Sequence, residues 1–182
     1  NNVNVRAIAQ GSSEKNISAV IRKTDAKKAL NALHEQFFEE NIKQLNLFVM
    51  GVGNVGGRFL AQLHQQKDYL REELKLNIRV VGISNSKKMK FNQEGINLSN
   101  WKASLNEGEP TSLSNFYDKI LDYNLRNSVF IDITANAEVA NTYHDYLTKS
   151  IAVVTCNKIA CSSSYQHYKN LKYVSKKYNA AF

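Results

Sequence analysis

Two apolar stretches, Val3 to Ala9 and Ile17 to Ile21, read as strands joined by the turn-forming run Gln10-Gly11-Ser12-Ser13-Glu14. After them Ala26, Leu30, Leu33 and Phe37 recur at helical spacing behind Thr24 and Asp25, either of which can open a helix. From Leu47 the pattern changes to short, nearly continuous apolar runs alternating with amphipathic ones. Leu47-Phe48-Val49-Met50 reads as a buried strand, and Phe59, Leu60 and Leu63 mark a helix over 58–66. Lys67 to Asn77 reads as a linker before the strand Ile78 to Ile83. Polar residues 84–88 follow, then an irregular segment holding Trp101 and the single proline, Pro110. Further on come a helix near Ser114 to Tyr123, a strand over Val129 to Ile133, one helix from Glu138 to Leu147, a strand over Ile151 to Val154, and a closing helix from Ser163 to Tyr178. In that last helix Tyr165, Tyr168, Leu171 and Tyr178 are expected to face inward. Strands alternating with helices predict an α/β fold built on a doubly wound parallel sheet. Ligands on such a sheet sit at the carboxyl ends of the strands. Those ends are Gly51 to Gly56, Ser84 to Lys88, Thr134 to Asn136 and Thr155 to Lys158.

The first of these ends carries the most specific motif. Gly51-Val52-Gly53-Asn54-Val55-Gly56-Gly57 is a GxGxxG turn between a strand and a helix, the arrangement that offers backbone N–H groups and a helix N-terminus to a dinucleotide pyrophosphate. Gly51 makes the tight turn, Gly53 lets the main chain approach the phosphates, and Gly56 lets helix and strand pack closely. The following strand ends at Ser84-Asn85-Ser86-Lys87-Lys88 without a carboxylate that would accept from a ribose 2′-hydroxyl. Hydroxyls and cations there suit a 2′-phosphate, so NADP is favoured, with NAD as the alternative. Lys158 follows a strand end expected to face the nicotinamide, where its ammonium can polarise or orient a substrate oxygen; the competing reading is an ordinary surface lysine.

Composition narrows the classes. The 182 residues are 43% hydrophobic, enough for a packed core in one or two domains. No apolar run approaches the roughly 20 residues that span a bilayer, and the polar start is no secretory signal. Cys156 and Cys161 lack the CxxC spacing of a metal or redox site, and the four histidines fall in expected helices at no ligand spacing, so no metal is expected and a reducing cytoplasm is. The net charge of +8 invites a nucleic-acid reading, but the cations are spread along the chain and pair with no nucleic-acid motif. Small clusters occur only at Lys87-Lys88-Met89-Lys90 and between Lys172 and Lys177.

In combination the glycine turn, Val81-Gly82-Ile83-Ser84-Asn85-Ser86-Lys87, Asp132-Ile133-Thr134 and Val153-Val154-Thr155-Cys156-Asn157-Lys158 resemble the Rossmann-like cofactor domain of homoserine dehydrogenase. Asn4 to Glu14, followed by Asn16-Ile17-Ser18, is similar to the last ACT regulatory module of aspartokinase. The order of the two pieces resembles the bifunctional, threonine-regulated enzymes, and the resemblance spans essentially the whole chain. It implies a partial ACT-like ββα segment over 1–40 and an NAD(P)-binding domain over 41–182. It also implies reversible interconversion of aspartate semialdehyde and homoserine in a homo-oligomer with threonine as effector. By the same resemblance Gly51, Val52, Gly53, Asn54, Val55 and Gly56 hold the pyrophosphate; Ser84, Ser86 and Lys87 the adenosine ribose; Thr134 and Ala135 the nicotinamide side. Lys158 lies beside nicotinamide and substrate, and Gln10 takes part in the threonine response. Family members often carry Cys and Ser where this chain has Ile133 and Ala135, so only a backbone contact carries over there. The kinase region is expected before Asn1 and the substrate half after Phe182, which leaves residues 1–182 able to bind cofactor but not to turn over. Two other readings compete: a non-catalytic NADP-binding amino-acid sensor and a basic nucleic-acid-binding protein.

Overall fold

The computed structural model describes residues 3–11, 16–38 and 42–182, with the side chains of 35–38 left aside. The backbone divides into two units, residues 1–41 and 42–182.

In the smaller unit β1 (Val5–Gln10) pairs antiparallel with β2 (Ile17–Ile21), and a 3₁₀ turn over Lys23–Asp25 leads into α1 (Ala26–Phe38). Thr24 and Asp25 lie within that turn and the α-helix opens one residue later. None of the unit's described side chains is buried; Leu30 and Leu33, expected on a packed face, are exposed. The side chain of Phe37 and the turn residues 12–15 lie outside what is described.

The larger unit is a six-stranded sheet. Its parallel strands are β3 (Lys43–Met50), β4 (Leu76–Ser84), β7 (Ser128–Asp132) and β8 (Ala152–Thr155), while β5 (Lys88–Phe91) and β6 (Glu109–Pro110) extend one edge antiparallel, giving the order β6-β5-β4-β3-β7-β8. The chain winds from β3 to β4 on one side and returns to β7 and β8 on the other, so the switch point lies at the carboxyl ends of β3 and β7. Its helices are α2 (Asn54–Glu72), α3 (Trp101–Asn106), α4 (Leu113–Tyr123), α5 (Ala137–Asn141), α6 (Tyr143–Thr148), α7 (Ile159–Ser162) and α8 (Tyr165–Lys177).

Both faces of the sheet are covered, which explains why β3 reads as an unbroken apolar run. Because successive strand side chains point to opposite faces, Leu47 and Val49 pack with Leu60 of α2, whereas Phe48 and Met50 join Phe116 of α4, Tyr146 of α6 and Leu171 of α8. In the second layer the Phe130 and Tyr146 rings stack at 4.0 Å between centroids.

Four local expectations change. The linker expected from Lys67 shrinks to residues 73–75, because Lys67-Asp68-Tyr69-Leu70-Arg71-Glu72, in which Lys67, Leu70, Arg71 and Glu72 are good helix formers, continues α2 with one half-buried position, Leu70. The segment after Lys88, expected to be irregular, holds β5, α3 and β6; Asn85 Oδ1 accepts from the N–H groups of Lys87 and Lys88 (2.8 and 2.7 Å), and this turn reverses the chain into β5, where Met89 is fully buried. The helix expected from Glu138 to Leu147 is two. They meet at Thr142, whose hydroxyl donates back to Val139 O at 2.7 Å. In α8 the inward positions are Leu171 and Val174, with Tyr178 half-buried beyond its end; Tyr165 and Tyr168 are exposed.

Candidate functional site: a dinucleotide crevice at the strand ends

The glycine turn follows β3 and is pinned on both sides. Gly51 and Val52 donate their N–H groups to Ser84 O at the end of β4 (2.8 and 2.9 Å), and Ile133 N–H donates to Met50 O (2.8 Å), tying in the end of β7. Gly51 has φ +101, and a Cβ there would lie 2.7 Å from the Ile133 carbonyl group. At Gly56 a Cβ would collide with the Gly51 carbonyl oxygen, so this glycine sets how closely α2 approaches the turn. Gly53 differs from both, since a Cβ there meets nothing within 4 Å. The space in front of Gly53 is open, so its backbone is accessible from outside. Gly53 is also the N-cap of α2, and no side chain caps that helix, so its first N–H groups remain for an anion.

A cleft of about 840 Å³ begins at Val52, Gly53 and Asn54 and runs along α2 past Arg58 to Trp101 and Lys102 of α3. Arg58, Trp101 and Lys102 were not singled out in the sequence. The Lys102 ammonium lies 5.7 Å from the Trp101 ring centroid, so a flat aromatic surface and two cations share one wall. At the end of β4 the expected residues part company. Ser84 is fully enclosed and its hydroxyl has no partner, whereas Ser86 and Lys87 are exposed; Lys88 turns away to donate to Gly108 O at 2.9 Å. Open space at Gly53, an uncapped helix start and cations without a carboxylate at the β4 end fit a dinucleotide phosphate group.

Thr134 and Ala135 follow β7, and Lys158 stands exposed at the start of α7 after β8. With the glycine turn they occupy the carboxyl ends of three neighbouring strands, one continuous edge. Gln10 ends β1 opposite Ile17, in the other unit. Beneath the edge lies the buried carboxylate of Asp132, part of the motif that ends β7 but given no role from the sequence. Asp132 Oδ1 accepts from Thr134 N–H (2.7 Å), and Oδ2 accepts from the Tyr143 hydroxyl (2.5 Å) and the Asn157 amide (3.1 Å). Burial, and then the bond to Asp132, push the Tyr143 phenol well above its ordinary pKa. Among the described residues no group of His, Cys, Asp and Glu could hold a metal ion, and no helix is long and apolar enough to cross a membrane.

A family model described as the NAD-binding domain of homoserine dehydrogenase matches residues 51–182, and one described as an ACT domain matches residues 1–37. Bifunctional aspartokinase/homoserine dehydrogenase 2 of Arabidopsis thaliana, a chloroplastic protein, is 40% identical over 178 residues, 97% of this chain and 19% of that protein. The bifunctional enzyme of Haemophilus influenzae is 38% identical over 172 residues, 94% of this chain and 21% of that one. The chain thus spans about a fifth of these relatives. A hyperthermophilic archaeal homoserine dehydrogenase solved in complex with NADPH shares the fold, with a TM-score of 0.60 at 20% identity over 76% of this chain and 43% of that one. Glycine turn, doubly wound sheet and family match agree: the chain belongs to the family of homoserine dehydrogenase NAD-binding domains.

Proposed function

We propose that this chain is the cofactor-binding part of a bifunctional aspartokinase/homoserine dehydrogenase that interconverts aspartate semialdehyde and homoserine with NADP(H), on the route to threonine and methionine. The observation that carries the proposal is the open space at Gly53 in front of an uncapped α2, beside strand ends bearing Lys87 and Lys158. When bound, the nicotinamide supplies or accepts the hydride. The chain's own residues do the rest. Gly51 and Val52, whose N–H groups are taken by Ser84 O, shape the turn, the backbone N–H groups of 53–56 hold the pyrophosphate, and Ser86 and Lys87 grip a 2′-phosphate with charge-assisted hydrogen bonds. The hydroxyl of Ser84 is enclosed, so its part is structural, through the carbonyl that holds Gly51 and Val52. Thr134 and Ala135 border the nicotinamide through their backbone, and Lys158 orients the substrate oxygen.

Substrate binding, the proton acceptor and the kinase activity belong to parts of the parent protein outside these residues. The smaller unit, with Gln10, contributes to threonine regulation in a homo-oligomer. The experiment compares homoserine oxidation by residues 1–182 with that of a chain extended to include a substrate half. Activity confined to the extended chain, and lowered there by Lys158→Ala with cofactor binding partly retained, is the expected result. Turnover by residues 1–182 alone would misplace the substrate site, and an inactive extended chain that still binds NADPH would favour the amino-acid sensor.

A further inference from the structure

Asp132 is fully buried, and each of its three partners is a neutral donor. Enclosing a carboxylate is costly unless hydrogen bonds compensate it, and an apolar group of similar size usually serves a fold as well. This one lies at the carboxyl end of β7, under the crevice. Its partners extend to the neighbouring loop. The Tyr143 hydroxyl spends its single proton on Asp132, so at the 2.7 Å contact between Tyr143 and Thr155 the threonine hydroxyl is the donor. Thr155 Oγ1 in turn accepts from Asn157 N–H at 2.8 Å. The Asn157 side chain donates to Asn136 O (2.9 Å) as well as to Asp132, and its carbonyl accepts from Ile159 N–H (3.1 Å). Asn157 and Ile159 are the two neighbours of Lys158, and the network holds both.

We infer that Asp132, Tyr143, Thr155 and Asn157 form a positioning network that sets Lys158 in register with the 134–136 loop at the nicotinamide end of the crevice. The inference rests on the cofactor reading above. Asp132 acts through Lys158 and touches no ligand itself. The Tyr143 ring packs independently against Phe130 and Phe182, with centroids 6.3 and 5.9 Å away, so its hydroxyl can be removed while the ring stays in the core.

The test is a double-mutant cycle on residues 1–182, read by NADPH titration beside a thermal melt. Tyr143→Phe and Lys158→Ala should each weaken NADPH about three- to ten-fold, the scale of one hydrogen bond. The double variant should bind no more weakly than the weaker single one, because a residue acting through Lys158 loses its effect once Lys158 is gone. Thr155→Val should reproduce Tyr143→Phe and stands in for it if that variant melts early; Thr155→Ser, which restores the hydroxyl, should bind as the parent does. Additive losses, or hydroxyl-removing variants that leave NADPH affinity unchanged, would overturn the inference and leave the cofactor reading intact. A parent chain that binds no NADPH would overturn both.

Discussion

In the larger unit Phe48, Phe116 and Phe130 have no exposure, whereas in the smaller one Ile8 and Ile17 each keep 69% of theirs. The difference follows from architecture. A parallel sheet with helices on both faces gives every central residue two covered sides; two strands and a single helix cannot do so. The packed core and the strand ends that carry the candidate site therefore reside together in residues 42–182. The smaller unit exposes Val5, Ile8, Ile17 and Val20 on a two-stranded sheet with unpaired edges, a surface suited to association.

The largest effects should separate the units. Phe130→Ala empties the space between Tyr143 and Tyr146 and should cost about 3–5 kcal/mol in denaturant unfolding, the usual price of a buried aromatic. A loss below 1 kcal/mol would show that the second layer packs more loosely than its rings indicate. Within the larger unit, Gly56→Ala should cost about 1–3 kcal/mol of stability, since its Cβ meets backbone, and should weaken NADPH binding with it. Lys87→Ala should leave the melt unchanged and lower the preference for NADPH over NADH about ten-fold, the value of one charge-assisted hydrogen bond. An unchanged preference would move 2′-phosphate recognition to Arg58 and Lys102. At the small end, Ile8→Ala should shift stability by less than about 0.5 kcal/mol. Light scattering should find a larger species for residues 1–182 than for 42–182; two monomers would contradict association through the smaller unit.

The same contrast governs what the sequence disclosed. The glycine turn was legible because Gly51, Gly53 and Gly56 each answer a separate steric demand at fixed spacing, and β3, β4, β7 and β8 because buried parallel strands are continuous apolar runs. β5 was not, since its entry turn is made by the single side chain of Asn85. Nor was the cleft wall, where Arg58 and Trp101 are brought together by the packing of α3 near Gly57, a Cβ at which would lie 3.3 Å from the indole. The Asp132 network was invisible for a related reason. Its members come from β7, α6, β8 and the loop after it, at spacings that match no local motif, and all its donors are neutral. In the smaller unit the pattern of Leu30 and Leu33 correctly marked a helix but not burial, because periodicity reports a face without showing that anything covers it.

The Gly51–Gly56 turn can serve as a cofactor site or as a purely structural connection, and the proposed function requires the first. Gly53→Val separates the two, because a Cβ at this position meets no protein atom yet the side chain fills the opening to the backbone. Calorimetric titration with NADPH beside a thermal melt should show binding by the parent chain, binding abolished in Gly53→Val, and the same melting temperature in both. A Gly53→Val chain that melts with the parent and still binds NADPH with the parent's affinity would contradict the account.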